Sequence, residues 1–388
     1  MKKILAMLLA VMLVVSLFAG CGSKNEQPEA TGSVNKVAMI TDYGDITDQS
    51  FNQTTWEAVV KFGEDNNVPY KYYKPTTNDT ASRVAQVELA ISEGYNVIVM
   101  PGFAFAETVA EAAPQYPDVK FIALDVSEYD LQSAGLTPET MGNVYSAVYQ
   151  EELCGYMAGY AAVKLGYTKL GFLGGMAVPA VERYGYGYVQ GIDAAAKELG
   201  ITVDVKYVYG NQFFGDADIT AYMDTWYANG MEIVFACGGG IYTSAVDAAK
   251  KVEGAKVIGV DTDQSGVIAA YAAGEEGDAS AFADLTVTSA MKGLAPTTID
   301  TLTDVVINGN WEKYAGKVET LGLVSGTDVA ANYVGIPTTT QFAEGKFTEA
   351  DLAALVAAMF DGTVKVSSDV SAEPETTNAN VEYFGNIK

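Results

Sequence analysis

The sequence predicts an α/β protein of two lobes, each built on a doubly wound parallel sheet. Eight short β-branched runs alternate with longer helical patterns, which is typical of parallel sheets covered by helices on both faces. The length of 388 residues is too great for one small domain and suits two lobes. Glycines, acids, amides and aromatics follow the predicted strands, where ligands bind in sheets of this kind.

The predicted elements follow one another in a regular order. Strands are expected at 37–41, 68–73, 97–100, 120–124, 169–173, 203–208, 232–236 and 256–260. Helices are expected near 50–66, 79–93, 104–115, 147–165, 181–199, 216–229, 243–252, 287–307 and 348–360. The strands divide into two series of four with a break near 143–168, so the strand ends of both lobes can converge on one cleft, as in a small-molecule receptor.

The start of the chain has the pattern of an export signal. Two lysines precede an apolar run over 4–18, and small residues precede Cys21. The run is shorter than the roughly 20 apolar residues of a transmembrane helix. A cysteine directly after Ala-Gly resembles a bacterial lipobox, with Phe18 where leucine is usual. We expect 1–20 to be a signal peptide, Cys21 to be lipidated and 21–35 to be a flexible tether at the extracytoplasmic face of the cell membrane. An ordinary signal peptide with a chance cysteine is the alternative.

The composition excludes several classes of function. Asp and Glu number 49 against 23 Lys and Arg, and a net charge of −26 disfavours nucleic acid and anionic lipid surfaces as partners. The chain has no histidine, which excludes Ser-His-Asp and Cys-His catalysis and histidine metal sites. We expect no catalytic residue, no metal and no cofactor. Cys154 and Cys237 are expected to be buried thiols, and a disulfide between them is the alternative.

The segment after the first strand suits ligand recognition. The strand ends at Asp42, a glycine turn follows, and Ser50 is a good cap for the next helix. Phe51 and Asn52 then lie at the mouth of that helix and face the cleft. A flat ligand could stack on Phe51 while Asp42 and Asn52 contact its polar edge. In the alternative, Phe51 packs into the core.

Several segments together resemble a known family. They are 42–57, Gly102-Phe103, 116–121, 152–159, 171–176 and 257–264. The first is similar to the signature Asp-x-Gly-x-Ile-Asp-Asp-x-Ser-Phe-Asn-Gln…Trp-Glu, with Thr47 in place of one aspartate. Residues 36–360 thereby resemble the basic membrane protein family of lipoproteins, the purine-nucleoside-receptor type of ABC-transporter substrate-binding protein.

The resemblance implies a fold and a domain division. The family has the two-lobed periplasmic-binding-protein-like fold of type I, with three hinge crossings. By that resemblance the crossings fall near 143–147, 284–288 and 325–330. Lobe 1 is then 36–145 plus 286–328, and lobe 2 is 146–285 plus 329–388.

The resemblance also implies roles for individual residues. Phe51 resembles the first base-stacking aromatic of the family, and Asp42 and Asn52 resemble its base-edge partners. Phe213 or Phe214 fits the second stacking aromatic, and the sequence leaves the choice between them open.

Further roles concern the sugar and the glycine region. Asp261 resembles the carboxylate that binds the ribose hydroxyls, and Lys292 resembles the lysine that crosses back from the first lobe toward the sugar. Asp125 is a weaker match. Where the family commonly has Gly-Gly-Thr-Gly, this chain has glycines at 238–240 followed by Tyr242, so Gly239, Gly240 and Tyr242 are expected at the cleft.

The leading interpretation is a monomeric transport receptor. It captures a nucleoside, with a purine base favoured, and delivers it to an ABC permease. A receptor for a sugar, a free base or a signal molecule on the same fold is an alternative, because fold does not fix the ligand. A nucleoside-cleaving enzyme is a less favoured one. It would need a general acid and usually a metal held by clustered carboxylates, for which Asp42, Asp45 and Asp48 are the candidates.

Overall fold

Thirteen strands and eleven α-helices organise residues 35–388, the part of the chain that the computed structural model describes. The strands are β1 (Val37–Ile40), β2 (Tyr70–Tyr73), β3 (Val97–Pro101), β4 (Lys120–Leu124), β5 (Val144–Tyr149), β6 (Lys169–Gly174), β7 (Val203–Tyr209), β8 (Ile233–Cys237), β9 (Lys256–Asp261), β10 (Thr286–Lys292), β11 (Lys317–Leu321), β12 (Val334–Gly335) and β13 (Ala379–Asn386). The helices are α1 (Phe51–Asn66), α2 (Thr80–Ser92), α3 (Ala106–Gln115), α4 (Glu128–Ser133), α5 (Glu151–Leu165), α6 (Pro179–Leu199), α7 (Ala217–Ala228), α8 (Tyr242–Ala249), α9 (Ser265–Ala273), α10 (Leu294–Leu302) and α11 (Glu349–Phe360). The expected signal peptide, Cys21 and all but the last residue of the tether lie outside the described residues.

The strands form two sheets. The first has the order β11-β5-β4-β3-β1-β2, and all its pairings are parallel. The second has the order β12-β10-β9-β8-β6-β7-β13, in which only the pairing of β10 with β12 is antiparallel. The predicted α/β class with two doubly wound sheets is confirmed. Within residues 35–388, no helix is both long and apolar enough to span a bilayer.

All eight predicted strands are present. Five further strands, β5 and β10 to β13, were not predicted from the sequence. The predicted helices over 147–165 and 287–307 begin later, because β5 and β10 occupy their first residues. Short apolar runs are ambiguous between strand and helix when read by periodicity. Strand pairing shows that both runs are strands, since β5 lies between β4 and β11, and β10 pairs with β9.

The chain passes between the two sheets three times, after Tyr149, after Lys292 and after Leu321. The predicted crossing near 284–288 is wrong, because β10 pairs in parallel with β9 and therefore belongs to the second sheet. The first predicted crossing falls inside β5, and the third lies a few residues beyond β11. The stretch 286–292 therefore moves out of the predicted lobe 1. The division into two lobes stays a prediction.

Helices α5 and α6 pack unusually closely, and glycines make this possible. A Cβ added at Gly155 would lie 2.2 Å from the carbonyl oxygen of Tyr184, and one at Gly187 would lie 2.1 Å from that of Glu152. Gly159 and Gly191 make equivalent approaches one turn further on. Helix α5 is buried on nearly all sides, which fits its largely apolar sequence. Cys154 lies in this helix; it and Cys237 are buried free thiols, as expected.

The close approach of the two helices predicts a stability effect. Gly187→Ala should destabilise the protein by about 1–3 kcal/mol, because the added methyl group meets backbone that cannot move independently. Gly266→Ala in α9 is the matched control. A Cβ there meets no atom within 4 Å, so alanine should be neutral or stabilising. Urea unfolding of the three proteins measures both effects. Equal midpoints for Gly187→Ala and the wild type would contradict this account of the helix pair.

Candidate ligand-binding site

A cavity of about 390 Å³ lies at the carboxyl ends of strands from both sheets. This volume is within the range of small-molecule sites. The walls are largely apolar and aromatic. Of the residues predicted from sequence, nine line the cavity: Asp42, Phe51, Asn52, Asp125, Phe213, Phe214, Gly239, Gly240 and Asp261. Lys292 and Tyr242 do not.

Asp42 and Asn52 form one polar end of the cavity. Asp42 directly follows β1, and its Oδ1 accepts hydrogen bonds from the backbone N–H groups of Tyr43 at 2.6 Å and Gly44 at 2.7 Å. The Nδ2 of Asn52 lies 3.4 Å from the same oxygen. Burial raises the pKa of Asp42, and the hydrogen bonds that it accepts oppose this shift. The Oδ1 of Asn52 is buried and has no partner among the described residues. This end therefore offers acceptors to a ligand.

Asp48 caps α1, a role that the sequence assigned to Ser50. The carboxylate of Asp48 accepts from the backbone N–H groups of Ser50, Asn52 and Gln53 at 2.9 to 3.1 Å. Ser50 occupies the predicted N-cap position, but its side chain makes no cap hydrogen bond. Its hydroxyl instead donates to the Oδ2 of Asp261 at 2.7 Å, which links the start of α1 to the second sheet.

Asp125 and Asp261 form the other polar end. Each comes at the carboxyl end of a central strand, β4 and β9, and each has a left-handed backbone, with φ of 61° and 64°. Residues other than glycine are uncommon in this region, and they cluster at functional sites. The phenol of Tyr184 donates to the Oδ1 of Asp261 at 3.2 Å. The Oδ1 of Asp125 is buried and has no partner among the described residues.

Lys292 lies behind this end, with its side chain 3% exposed. Its ammonium pairs with Asp125, with Glu151 at 3.2 Å and with Asp261 at 3.8 Å. It also lies 4.8 Å from the centre of the Phe51 ring, a cation–π distance. Burial alone would lower the pKa of Lys292, but the three carboxylates raise it above its ordinary value. The same burial raises the pKa of Asp125, although Lys292 opposes this. Lys292 is therefore an internal cation that joins the two sheets.

Sequence reasoning missed part of this charge cluster. Glu151 is fully buried at the start of α5 and accepts from the Nε of Arg183 at 2.7 Å. Two consecutive acids in an otherwise apolar helical pattern were the available signal. Tyr184, Tyr186 and Tyr188 are all buried in α6. Tyr184 also lines the cavity.

Aromatic rings form the walls of the cavity between its two polar ends. Phe51 lies on the side of α1. On the side of the second sheet, the ring of Phe213 lies against backbone, since Cβ atoms at Gly175 and Gly238 would come within 2.4 and 2.8 Å of it. The Phe213 ring is also 6.3 Å from that of Tyr43. Phe214 is 59% exposed at the rim.

Tyr242 corrects one expectation about the glycine region. The residue begins α8, is 5% exposed and packs edge-on against Tyr271, with ring centres 5.8 Å apart. It belongs to the core of the second sheet, because the helix turns its side chain away from the glycine loop. The backbone N–H of Gly240 donates to the carbonyl of Phe213 at 2.9 Å, so this N–H is not free to hold an anion.

The acids considered for metal-assisted chemistry do not converge. Asp42 holds the turn after β1, Asp48 caps α1, and Asp45 pairs with Lys74 at 2.6 Å. In the region from 35 to 388, no group of three or more His, Cys, Asp or Glu side chains is arranged to hold a metal ion. Asp263 is a loop acid that accepts from the backbone N–H of Ser265 and from the hydroxyl of Thr339.

Comparison with protein families gives a match over most of the described chain. The family model Bmp, described as ABC transporter substrate-binding protein PnrA-like, matches residues 35–343. The ABC transporter nucleoside-binding protein BmpA of Lactococcus lactis subsp. cremoris is 30% identical over 278 residues, which cover 68% of this chain and 74% of that protein. An uncharacterized lipoprotein of Pyrococcus abyssi is 25% identical over 353 residues, which cover 89% of this chain and 80% of that protein.

Solved structures share the fold. A solute-binding protein of an ABC transporter system from Aeropyrum pernix superposes with a TM-score of 0.65 at 20% identity, covering 85% of this chain and 87% of the other. A second such protein, from Conexibacter woesei, gives a TM-score of 0.62 at 19% identity, covering 86% and 99%. These similarities confirm the periplasmic-binding-protein-like architecture.

The buried charge cluster predicts a stability effect that depends on pH. Lys292→Met should cost about 3–5 kcal/mol at pH 8, because it leaves Asp125 and Asp261 without a cation, while Glu151 keeps Arg183. Burial raises the pKa of Asp125 in the folded state, and loss of the opposing charge of Lys292 raises it further, so folding takes up protons. The deficit should therefore shrink as the pH falls towards the unfolded pKa of about 4.

Urea unfolding at pH 8 and pH 5 measures this effect. Lys61→Met is the control, because its ion pair with Asp65 is exposed and its loss should change little at either pH. A Lys292→Met deficit that is equal at both pH values would contradict the role assigned to the ion pair of Lys292 with Asp125.

Proposed function

The chain belongs to the Bmp family of PnrA-like ABC transporter substrate-binding proteins, and on this premise we propose that its ligand is a purine nucleoside. The observation that carries the proposal is the arrangement of the cavity. Aromatic walls separate two polar ends, and both ends consist of hydrogen-bond acceptors. A nucleoside has the complementary form, with a flat base that carries N–H donors and a sugar that carries hydroxyl donors. The name of the Lactococcus relative agrees with this proposal.

The base lies between the rings, with its edge towards Asp42 and Asn52. An ionised carboxylate only accepts hydrogen bonds, so the edge that faces Asp42 must present N–H groups, as purine bases do. Phe51 forms one wall. Phe213 forms the other, because its ring is already fixed against Gly175 and Gly238 and loses little freedom on binding. Phe214, at the exposed rim, covers the base as the cleft closes.

The sugar lies at the opposite end, towards Asp125 and Asp261. Two vicinal hydroxyls are two donors for the oxygens of a carboxylate, and the Oδ1 of Asp125 has no other hydrogen-bond partner among the described residues. Lys292 holds both carboxylates in place and limits their repulsion. A ligand that brings hydroxyl donors adds no negative charge to this acidic cleft. This favours a neutral nucleoside over a phosphorylated one.

Closure of the cleft would signal the bound state to the permease. Polar contacts that join the two sides of the cavity include Lys292 with Asp125, Ser50 with Asp261, Gln264 with the carbonyl of Gln49 at 3.0 Å, and Tyr43 with Met176 at 3.3 Å. A ligand that contacts both sides adds to these and shifts the population towards the closed form. The closed protein then delivers the nucleoside to its permease.

The competing function is a nucleoside-cleaving enzyme, and the site offers little to support it. The acids of the 42–48 segment are each engaged in a structural contact. The family is one of transport receptors. Incubation with inosine separates the two functions, since free base and ribose appear only with an enzyme.

Calorimetric titration tests the nucleoside proposal. Adenosine, guanosine or inosine should bind the wild type, and adenine should bind much more weakly because it lacks the sugar. Phe51→Ala should weaken nucleoside binding roughly 5- to 150-fold, the range for loss of one base–aromatic stack of about 1–3 kcal/mol. Phe360→Ala is the control, since that ring is exposed and outside the cavity. Binding of a free sugar alone, or equal binding of adenine and adenosine, would contradict the proposal.

We also propose that Cys21 carries a lipid that anchors the protein at the extracytoplasmic face of the membrane. The lipobox-like sequence before Cys21 supports this, and the Pyrococcus relative is named a lipoprotein. Cys21→Ala should release the protein from the membrane fraction while its nucleoside affinity stays at the wild-type value. Fractionation followed by immunoblotting measures this, with Cys237→Ala as the cysteine control. Unchanged membrane association of Cys21→Ala would rule the lipid anchor out.

A further inference from the structure

A second pocket adjoins the nucleoside cavity at the end that carries Asp42. It has a volume of about 460 Å³ and shares two wall residues, Tyr43 and Phe103, with the main cavity. Its other walls include Arg83, Asn78 and Glu107. The proposed nucleoside does not use this space, because its base edge stops at Asp42 and Asn52.

Arg83 is the distinctive group of this pocket. The residue is 5% exposed, and its guanidinium makes one side-chain hydrogen bond, to the Oδ1 of Asn78 at 2.9 Å. Its Nε has no partner, and no carboxylate lies within 4.0 Å of the guanidinium in the described part of the chain. A guanidinium has five N–H donors, and leaving donors unpaired in a buried site is costly. Arg83 is therefore a cation with donors available to a ligand.

The pocket also contains acceptors. The Oε2 of Glu107 accepts from the hydroxyl of Thr80 at 2.6 Å, and an oxygen of Asp130 accepts from Ser127 at the start of α4. Each carboxylate has lone pairs beyond these bonds. An anionic ligand group would meet Arg83 but also two carboxylates, and an alkyl group would leave Arg83 unpaired. A neutral group with both a carbonyl and N–H donors suits this mixture, and an amide is the simplest such group.

We propose that this pocket accepts a short amide-bearing substituent on the exocyclic nitrogen of the base, and that Arg83 donates to its carbonyl oxygen. The inference rests on the proposed nucleoside function. The exocyclic amine of adenine is the N–H group that can face the carboxylate of Asp42. Tyr43 follows Asp42 directly and is a wall of both pockets, so a substituent on that nitrogen extends towards Arg83. The protein then takes up base-modified nucleosides as well as unmodified ones.

Two analogues of equal size test the proposal. N6-(carbamoylmethyl)adenosine carries the amide, and N6-isobutyladenosine replaces it with an apolar group of the same shape. Calorimetric titration should show that the wild type binds the amide at least tenfold more tightly than the isobutyl analogue, as expected for a hydrogen bond to a charged donor. Arg83→Met keeps an unbranched side chain without donors, and the ratio should fall to about one. Lys74→Met, which removes an exposed cation that pairs with Asp45 outside this pocket, should retain the wild-type ratio.

The outcomes separate this inference from the function on which it rests. If the wild type binds adenosine and binds the two analogues equally well, the proposed role of the second pocket is wrong and the nucleoside function still stands. A ratio that persists in Arg83→Met overturns the role of Arg83. Failure of the wild type to bind adenosine and both analogues overturns the inference about this pocket, and failure to bind guanosine and inosine as well overturns the nucleoside function. The comparison of analogues on the wild type needs no variant, so the test holds even if Arg83→Met does not fold.

Discussion

The ammonium of Lys292 among three buried carboxylates is the interaction on which the site depends. Removing these charges from water is expensive, and the cluster is stable only while cation and carboxylates stay together. Its members come from distant parts of the chain: Lys292 from the end of β10, Asp125 after β4, Asp261 at the end of β9 and Glu151 from the start of α5. One side chain thus fixes the relative positions of the strand ends that form the cavity floor.

The glycine-mediated contact between α5 and α6 supports that cluster from behind. Glu151 begins α5, while Arg183 and Tyr184 lie in the first turns of α6. Because Gly155 brings α5 within contact of the backbone at Tyr184, these residues are positioned by helix packing rather than by flexible loops. The ion pair of Glu151 with Arg183 and the hydrogen bond of Tyr184 to Asp261 both follow from this geometry. Packing far from the ligand therefore determines the orientation of groups that would touch it.

The acidic character of the cavity gives it a chemical preference. Acceptors predominate at both ends, and the internal cation is already engaged by three carboxylates. Such a site binds donors in preference to acceptors, and it disfavours anions. Two of its aspartates have left-handed backbones, a strain that the surrounding sheets hold in place. The site is therefore organised before the ligand arrives, which limits the entropy lost on binding.

The sequence by itself determined the α/β class, the eight strands with clear β-branched runs, and most of the residues at their carboxyl ends. These follow from local patterns, since strand periodicity and turn chemistry are properties of neighbouring residues. Asp42, Phe51, Asn52 and Asp261 line the cavity as the sequence predicted, and the roles that the family resemblance implies for them stay predictions. Only the tertiary structure decided that β5 and β10 are strands, because their short apolar runs match helix and strand equally well until a partner strand is present. Only the tertiary structure showed that Ser50 donates a hydrogen bond to Asp261 and that Tyr242 packs in the core. It also showed that Glu151 and Arg183 belong to the charge cluster. Such contacts join residues far apart in sequence, so local patterns do not predict them.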